Sequence, residues 1–357
     1  MNKILNFKQW KEKKEMKKLL MVLVALVAVV SLAACKGKEY KLGMGIVVNA
    51  DQAAQGTAQV DSTVAAVVTD SEGKIVAARF DALQNKAAIA EGALTSKNLI
   101  SKAELKEDYN MAKYGHSLVG NETVVEWYLQ AQAFEAYVVG KTIKEVQDLE
   151  MQTMENGYVI AKDETLLNAG CTMQVNDFIA ALVKAGADEQ GTTFTTNKEF
   201  TLGVAINGEL SDSTAATAEA AGSAALYSEY AAVVLVGDEI VATLNDAIQP
   251  KLAFNFDGTI GELTFKGTKR ELKEDYNMAK YGHSQIGNET VVEWYLQSAE
   301  FSKHLVGMTA EEVKNLPVQT MESGYVISAN EDLLATGCTM QITGMQAAVV
   351  DAIANAR

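Results

Sequence analysis

The sequence predicts an α+β fold, made of two tandem repeats of a small antiparallel sheet packed by helices. The repeat is explicit, because residues 104–117 recur unchanged at 271–284 and residues 120–130 recur at 287–297, an offset of 167 in both cases. Two copies at this period indicate a duplicated domain rather than a solenoid, whose repeats are about 20–50 residues long. In each copy strand-like alternation precedes helix-like spacing, the order typical of α+β domains.

The domain organisation follows from this repeat and from a polar segment between the copies. The chain has 357 residues, which suits about two domains of ~100–200 residues each. Threonines and glycines between Gly186 and Lys198 indicate a linker. We therefore expect a first repeat domain over residues 36–190 and a second over residues 191–357.

The early part of each copy predicts β-hairpins, because apolar residues flank short polar turns. In the first copy the turn is 70–74, and in the second copy the turns contain Gly237 and Gly258. The predicted hairpins are 64–68 with 75–80, 231–236 with 239–244, and a third over 254–265.

Helices follow the hairpins, and their starts are marked by the capping-box pattern of Ser or Thr with Glu three residues later. The pattern occurs at Ser101 and Glu104, Thr142 and Glu145, Thr268 and Glu271, and Thr309 and Glu312.

The longest helix is expected to start after Asn121 and to stop at Gly140. Trp127, Ala131 and Phe134 lie on one face of this helix at spacings of three and four, so Trp127 and its counterpart Trp294 are expected in the core.

Each copy is expected to close with a strand and a helix. Cys171, Met173 and Val175 alternate with polar residues as in a half-buried strand, and Asn176 or Thr343 would then cap the last helix.

The N-terminal segment has the layout of a secretory signal. Met16 is followed by two lysines and an apolar run that reaches Val30, then by Leu32-Ala33-Ala34-Cys35. The last four residues look like a bacterial lipobox, in which the cysteine is acylated and becomes the new N-terminus. We expect residues 1–34 to be removed as a signal peptide, with Met16 as the true start because the signal is complete from there.

Lipidation and charge together limit the partners of the mature chain. Acyl chains on Cys35 would tether the protein to membrane lipid on the outer face of the bacterial cytoplasmic membrane. Beyond residue 34 there are 24 basic and 44 acidic side chains, a balance of −20. Such a surface repels a phosphate backbone, so no nucleic-acid partner is expected.

Histidines and cysteines are few, and no catalytic set can be assembled from them. His116 and His283 each lie in a repeated Tyr-Gly-His-Ser, as turn residues or, in the alternative, as functional groups. Cys171 and Cys338 are expected to be buried core residues, with a disulfide between the copies as the alternative. No metal site is expected.

Two polar motifs have competing interpretations. Asn121-Glu122-Thr123 matches a glycosylation sequence, but Asn is also a good helix N-cap, which is the interpretation we prefer. The polar residues 61–63 correspond roughly to 226–228 of the second copy. We expect a turn or edge-strand role for residues 61–63, and binding by the first copy alone if they bind anything.

Two segments resemble the FMN-binding module of extracytosolic bacterial flavoproteins. These are the hairpin over residues 64–76 and Gly170-Cys171-Thr172-Met173-Gln174, which runs into an apolar helix at 178–183. In that family a threonine before the closing helix carries FMN as a phosphoester, so the resemblance implies Thr172 and Thr339 as flavin-bearing residues. Membrane-anchored members of the family are lipoproteins, consistent with Cys35.

The resemblance implies an FMN-binding electron-transfer carrier with a redox partner in the membrane. The alternative is a non-enzymatic surface lipoprotein that binds a small ligand or another envelope protein. Both hypotheses describe a carrier or binding protein rather than an enzyme.

Overall fold

The computed structural model describes residues 37–111, 125–155, 157–278, 292–322 and 324–357. Residues 40–194 and 200–357 form one compact unit, and residues 37–39 with 195–199 belong to a second, small unit. Several residues singled out in the sequence lie outside the described residues, namely the predicted signal peptide, Cys35, His116, His283 and the Asn121 motif.

In the part of the chain that the structure describes, the strands form two larger antiparallel sheets and two short ribbons. The strands are β1 Lys38–Asn49, β2 Thr57–Asp70, β3 Ile75–Ala90, β4 Ala93–Asn98, β5 Met151–Thr153, β6 Val159–Ala161, β7 Thr192–Thr196, β8 Thr201–Leu210, β9 Gly222–Val236, β10 Glu239–Ile248, β11 Lys251–Phe254, β12 Ile260–Thr264, β13 Val318–Thr320 and β14 Val326–Ser328. The first sheet has the order β4-β3-β2-β1-β7, and the second has the order β10-β9-β11-β12 with β8 also paired to β9. Strands β5 and β6 form one ribbon, and β13 and β14 form the other.

The three predicted hairpins are confirmed. Strand β2 pairs with β3, β9 with β10 and β11 with β12, all antiparallel. Their turns contain Gly73, Gly237 and Gly258, whose φ angles of 78°, 67° and 84° lie in the region that glycine adopts most easily.

Helices lie between and after the strands, which confirms the α+β class. They are α1 Lys102–Leu105, α2 Trp127–Val138, α3 Ile143–Gln147, α4 Glu164–Asn168, α5 Asn176–Gly186, α6 Lys269–Leu272, α7 Trp294–His304, α8 Ala310–Lys314, α9 Glu331–Ala335 and α10 Thr343–Ala354.

The four helix starts predicted from capping boxes are confirmed at α1, α3, α6 and α8. The N-caps of α3, α6 and α8 make the full reciprocal box, whereas Ser101 of α1 accepts from the Glu104 N–H without the return bond.

The start of the longest predicted helix is wrong. Helix α2 begins at Trp127 with Glu126 as its N-cap, not directly after Asn121. The predicted apolar face is correct, since Trp127, Ala131 and Phe134 are all buried.

The predicted closing strand is also wrong, because residues 171–175 form no strand. The backbone N–H groups of Thr172 and Met173 donate instead to the side-chain oxygen of Gln130, both at 2.9 Å. The same arrangement recurs around Gln297 in the second half. A side chain remote in sequence therefore takes the place of a neighbouring strand.

The closing helices α5 and α10 begin where expected, but their predicted caps are wrong. Asn176 and Thr343 are the first helical residues, and Val175 and Ile342 occupy the N-cap positions without a side-chain bond.

Each closing helix packs closely on its sheet at strand glycines. The carbonyl oxygen of Ala181 in α5 lies where a Cβ at Gly45 would be, and the carbonyl oxygen of Ala352 in α10 lies where a Cβ at Gly203 would be. A larger residue at either glycine would push the helix away, so these contacts fix the helix positions relative to the strands.

The inner faces of the two sheets pack on each other and share one apolar core. Leu42, Val64 and Leu83 of the first sheet belong to the same buried cluster as Tyr230 and Val234 of the second. Helices cover the outer faces, with α2 and α5 over the first sheet and α7 and α10 over the second.

The linker expected between residues 186 and 198 contains strand β7 instead. Phe194 in this strand is 6% exposed and belongs to the core between the sheets, which gives the polar segment an apolar anchor. The domain boundaries 36–190 and 191–357 stay a prediction, as does the interpretation of the chain as two tandem repeats.

Cys171 and Cys338 are buried in separate core clusters and are not joined by a disulfide. Burial raises the pKa of each thiol to about 12. Within the described segments no helix is long and apolar enough to span a bilayer.

Candidate functional site

Two cavities occupy equivalent places in the two halves. Each is bounded by the sheet, by a short helix (α1 in the first half and α6 in the second) and by the segment before the closing helix. Their volumes are about 350 Å³ in the first half and about 540 Å³ in the second. Many of their lining residues match at the 167-residue offset. The matched pairs are Lys102 and Lys269, Tyr109 and Tyr276, Met111 and Met278, Trp127 and Trp294, Tyr158 and Tyr325, Met173 and Met340, and Gln174 and Gln341.

A lysine lies on aromatic rings in each cavity, half-buried at Lys102 and buried at Lys269. Lys102 Nζ is 5.1 Å from the centre of the Tyr109 ring and 5.5 Å from that of Trp127, within cation–π range. Lys269 Nζ has three such neighbours at 5.0, 5.1 and 5.2 Å, the rings of Tyr227, Tyr276 and Trp294. Burial lowers the pKa of both lysines to about 8, so both are still mainly protonated at neutral pH.

A buried aspartate holds each lysine-bearing helix in place. Asp81 Oδ1 accepts from the N–H of Ala103 at 3.0 Å, one residue after Lys102. In the second half Asp246 Oδ1 accepts from the N–H of Arg270 at 3.1 Å, one residue after Lys269. Burial raises the pKa of both carboxyls to about 6.

Three carboxylates accompany the lysine in each cavity, but most stand at different sequence positions. The first cavity has Asp51, Asp61 and Asp177, and the second has Glu209, Asp212 and Glu229. The described lining of each cavity therefore contains one lysine and three acidic residues.

One carboxylate comes from a helix in the first cavity and from a strand in the second, but it lies in the same part of the cavity. Asp177 in α5 corresponds to Gly344 at the 167-residue offset. Thr63 is paired with Val47 in the first sheet, and Glu229 is paired with Asn207 at the equivalent place in the second. Thr63 therefore corresponds to Glu229. The Glu229 carboxylate lies against Gly344, where a side chain at that position would collide with it. The acid lost from the helix is thus supplied by the strand.

The carboxylates are perturbed by burial. Burial raises the pKa of Asp61, opposed by its hydrogen bond from Gln59 and by the charge of Lys102. Burial likewise raises the pKa of Asp177 and brings that of Glu229 to about 7, although Lys269 acts in the opposite direction on Glu229.

The second cavity contains a hydrogen-bonded chain of lysine, tyrosine and glutamate. Lys269 Nζ donates to Tyr227 Oη at 3.1 Å, and the Tyr227 hydroxyl donates to Glu229 Oε1 at 3.1 Å. Asp61 stands at the position of Tyr227 in the first half. The lysine there faces an acidic side chain instead of a phenol.

The threonines implied by the flavin resemblance lie beside the cavities and are buried. Thr172 and Thr339 are each 3% exposed, and only Thr339 lines a cavity. Their backbone N–H groups are used by Gln130 and Gln297.

Residues 61–63 were assigned wrongly from the sequence. They lie in β2, which has neighbours on both sides in the sheet, and not in a turn or an edge strand. Their counterparts are 227–229 rather than 226–228, and both halves place carboxylates in this part of the cavity.

The lysines were missed because a lysine after an N-cap resembles any solvent-facing helical residue. The sequence does contain a signal for this site. Each lysine lies just before the block 104–117 or its unchanged copy, and the first block contains another cavity residue, Tyr109.

Among the described residues no group of three or more His, Cys, Asp or Glu side chains could hold a metal ion. No family model, curated protein or solved structure matches the chain.

Proposed function

We propose that the chain is an extracytoplasmic lipoprotein, anchored through Cys35, that binds a small organic cation in each of its two cavities. The observation that carries this proposal is the lining of both cavities by one lysine, three acidic residues and a matched aromatic wall. The acids occupy different positions in the two halves, so simple duplication of residues does not account for their number.

Charge decides the ligand class. With all groups ionised, the residues that the structure describes in each lining sum to a formal charge of −2, which attracts a cation and repels an anion. Interactions between charges are stronger in such partly buried sites than in bulk water. An ammonium group among the carboxylates would also relieve their mutual repulsion, which adds to the raised pKa of Asp177 through Asp51.

The walls supply the apolar part of the site. Trp127, Tyr158 and Phe178 line the first cavity, and Trp294 and Tyr325 line the second. Cavities of about 300–1,000 Å³ with apolar walls and a few polar groups are typical of small-molecule sites. A ligand with an ammonium group and a planar apolar part fits both features.

Three ligands of similar shape but different charge test this proposal. Benzylamine, benzyl alcohol and benzoate share a phenyl ring and differ in charge, and calorimetric titration into residues 36–357 measures their affinities. We expect benzylamine to bind most tightly and benzoate least. Benzoate binding as tightly as benzylamine would contradict the proposal.

An FMN-binding electron carrier with a membrane redox partner is the second candidate. It is favoured by Thr339, which lines the second cavity, and by cavity volumes that suit a flavin ring. It ranks below a cation because the acidic lining repels a phosphate.

The colour of the protein tests this second candidate. Flavin absorbance in protein exported by its native machinery, lost in the double variant Thr172→Val and Thr339→Val, would support it. A colourless exported protein would contradict it.

A further inference from the structure

A third cavity of about 400 Å³ lies in the second half, between β10 and α7, separate from the cation cavities. Its wall is rich in hydroxyl and amide groups. These come from Gln190, Thr192, Thr243, Asn245, Ser298 and Ser302.

Among the described residues of the first half, the position that corresponds to Asn245 has an aromatic side chain, as the buried aspartates show. Asp81 and Asp246 each accept hydrogen bonds from the N–H of the next residue and from an N–H of the lysine-bearing helix. They therefore occupy equivalent positions, and the residue before Asp81, Phe80, corresponds to the residue before Asp246, Asn245. Phe80 is buried and stacks on Phe178 with ring centres 4.7 Å apart. An amide has therefore replaced a packed aromatic ring.

Two neighbouring positions on the helix have changed with it. Ala131 and Glu135 of α2 correspond to Ser298 and Ser302 of α7 at the 167-residue offset. Glu135 in the first half accepts from Arg357 at 2.7 Å, so its carboxylate is paired there. In the second half small hydroxyl residues leave the space open.

Asn245 leaves one amide atom without a partner inside this cavity wall. The residue is 1% exposed, and its Nδ2 donates to Ser302 Oγ at 2.9 Å. Its Oδ1 has no partner among the described residues. If the amide O and N were exchanged, the nitrogen would be unpaired instead, because Ser302 can bond to only one of the two atoms. A buried amide atom without a hydrogen-bond partner lowers stability unless something bonds to it.

We propose that this cavity binds a neutral, polyhydroxylated molecule of monosaccharide size. A hydroxyl group both donates and accepts, so it satisfies either orientation of the Asn245 amide. Arg270 also lines the cavity, but its guanidinium group already donates to both carboxylate oxygens of Asp188, at 3.1 and 3.2 Å. The wall therefore offers no unpaired buried charge for an anion.

Saturation-transfer NMR on residues 36–357 tests this site with D-glucose, D-ribose and myo-inositol as probes. We expect at least one probe to receive saturation. That signal should be lost in Asn245→Leu, which removes the amide, and in Ala299→Phe, which fills the cavity from an exposed helix position without altering the core.

Asn355→Leu is the matched control, since this asparagine lies outside the cavity and donates to the Val204 carbonyl. It should leave the signal unchanged. Absence of saturation for all three probes, or a signal that persists in both cavity variants, would overturn the proposal. Failure of the cation series would leave this test unaffected, because the two kinds of cavity differ.

Discussion

At the scale of single residues, the unusual feature is a protonated lysine packed on aromatic rings in each half, half-buried at Lys102 and buried at Lys269. Such a cation costs desolvation free energy, which is only partly repaid by the rings and the nearby carboxylates. Burial lowers the pKa of Lys102 to about 8, which expresses that cost. A residue that costs stability in both halves is more readily explained by binding than by folding.

Replacing this lysine by an apolar residue should therefore stabilise the fold. We expect Lys102→Met to raise the free energy of unfolding at pH 7 by about 1–3 kcal/mol, because the lowered pKa shows that folding disfavours the charged form of this lysine even with its carboxylates nearby. The folded-state pKa is lowered, so the penalty is present below pH 8 and is relieved as pH rises from about 8 towards the ordinary value of 10.5.

Urea unfolding at pH 7 and pH 9.5 measures this difference, which should be smaller at the higher pH. Lys144→Met, at an exposed position paired with Asp148, is the control and should change little. Destabilisation by Lys102→Met at pH 7 would contradict the account.

At the scale of elements, each lysine is presented by a one-turn helix that is too short to be stable alone. The buried carboxylates of Asp81 and Asp246 hold these helices by accepting backbone N–H groups near their starts. Burial raises the pKa of Asp81 to about 6, although the hydrogen bonds from Ser101, Ala103 and Ala82 act in the opposite direction. The anchor is thus itself sensitive to pH.

Asp81→Asn should remove this pH sensitivity. Because the folded-state pKa is raised, the wild-type carboxyl contributes stability below its ordinary pKa of 3.8 that is lost as pH rises towards 6. The stability of the variant relative to wild type should therefore increase between pH 4 and pH 6 and stay constant above that range. Urea unfolding across pH 4–8 checks this, and a relative stability that falls with pH would contradict it.

Local signals predicted the elements that depend on local bonds. The hairpins and four helix starts are determined by turn residues and caps within a few positions of each other. Residues 171–175 were misassigned because Gln130 replaces a strand partner from 42 residues away. The cavities escaped prediction for the same reason, since Lys102, Asp61 and Asp177 meet only through the packing of sheet and helices.

At the scale of the whole molecule, the halves are joined by the core between their sheets and by buried ion pairs. Arg270 of the second half pairs with Asp188 of the first at 3.1 Å, and both side chains are less than 10% exposed. The Asp188 carboxylate also accepts from the Met44 N–H. Separate halves would expose the apolar inner faces of both sheets.

Breaking this pair should be costly. We expect Asp188→Ala to destabilise the protein by about 3–5 kcal/mol, because it removes the ion-pair partner of the buried Arg270 charge and leaves Asp246 as the other carboxyl acting on it. Glu189→Ala is the matched control at the next position, since its partner Lys273 is an exposed lysine. Thermal unfolding measures both, and equal small effects would show that the pair does not hold the halves together.

Anchoring is tested through the lipobox residue. If Cys35 carries acyl chains, Cys35→Ser should abolish fatty-acid labelling and move the protein from the membrane fraction to the medium or to an uncleaved precursor. Unchanged labelling would rule out this anchor.

The most direct test of the central claim is the number of cation sites, measured by calorimetric titration of benzylamine into residues 36–357. The account predicts two sites in the wild type and one in either Asp177→Asn or Glu229→Gln. It also predicts that the second site weakens below pH 7, because burial raises the pKa of Glu229 to about 7 and protonation removes its charge. A wild-type protein without benzylamine sites, or two sites retained unchanged in both variants, would contradict the account.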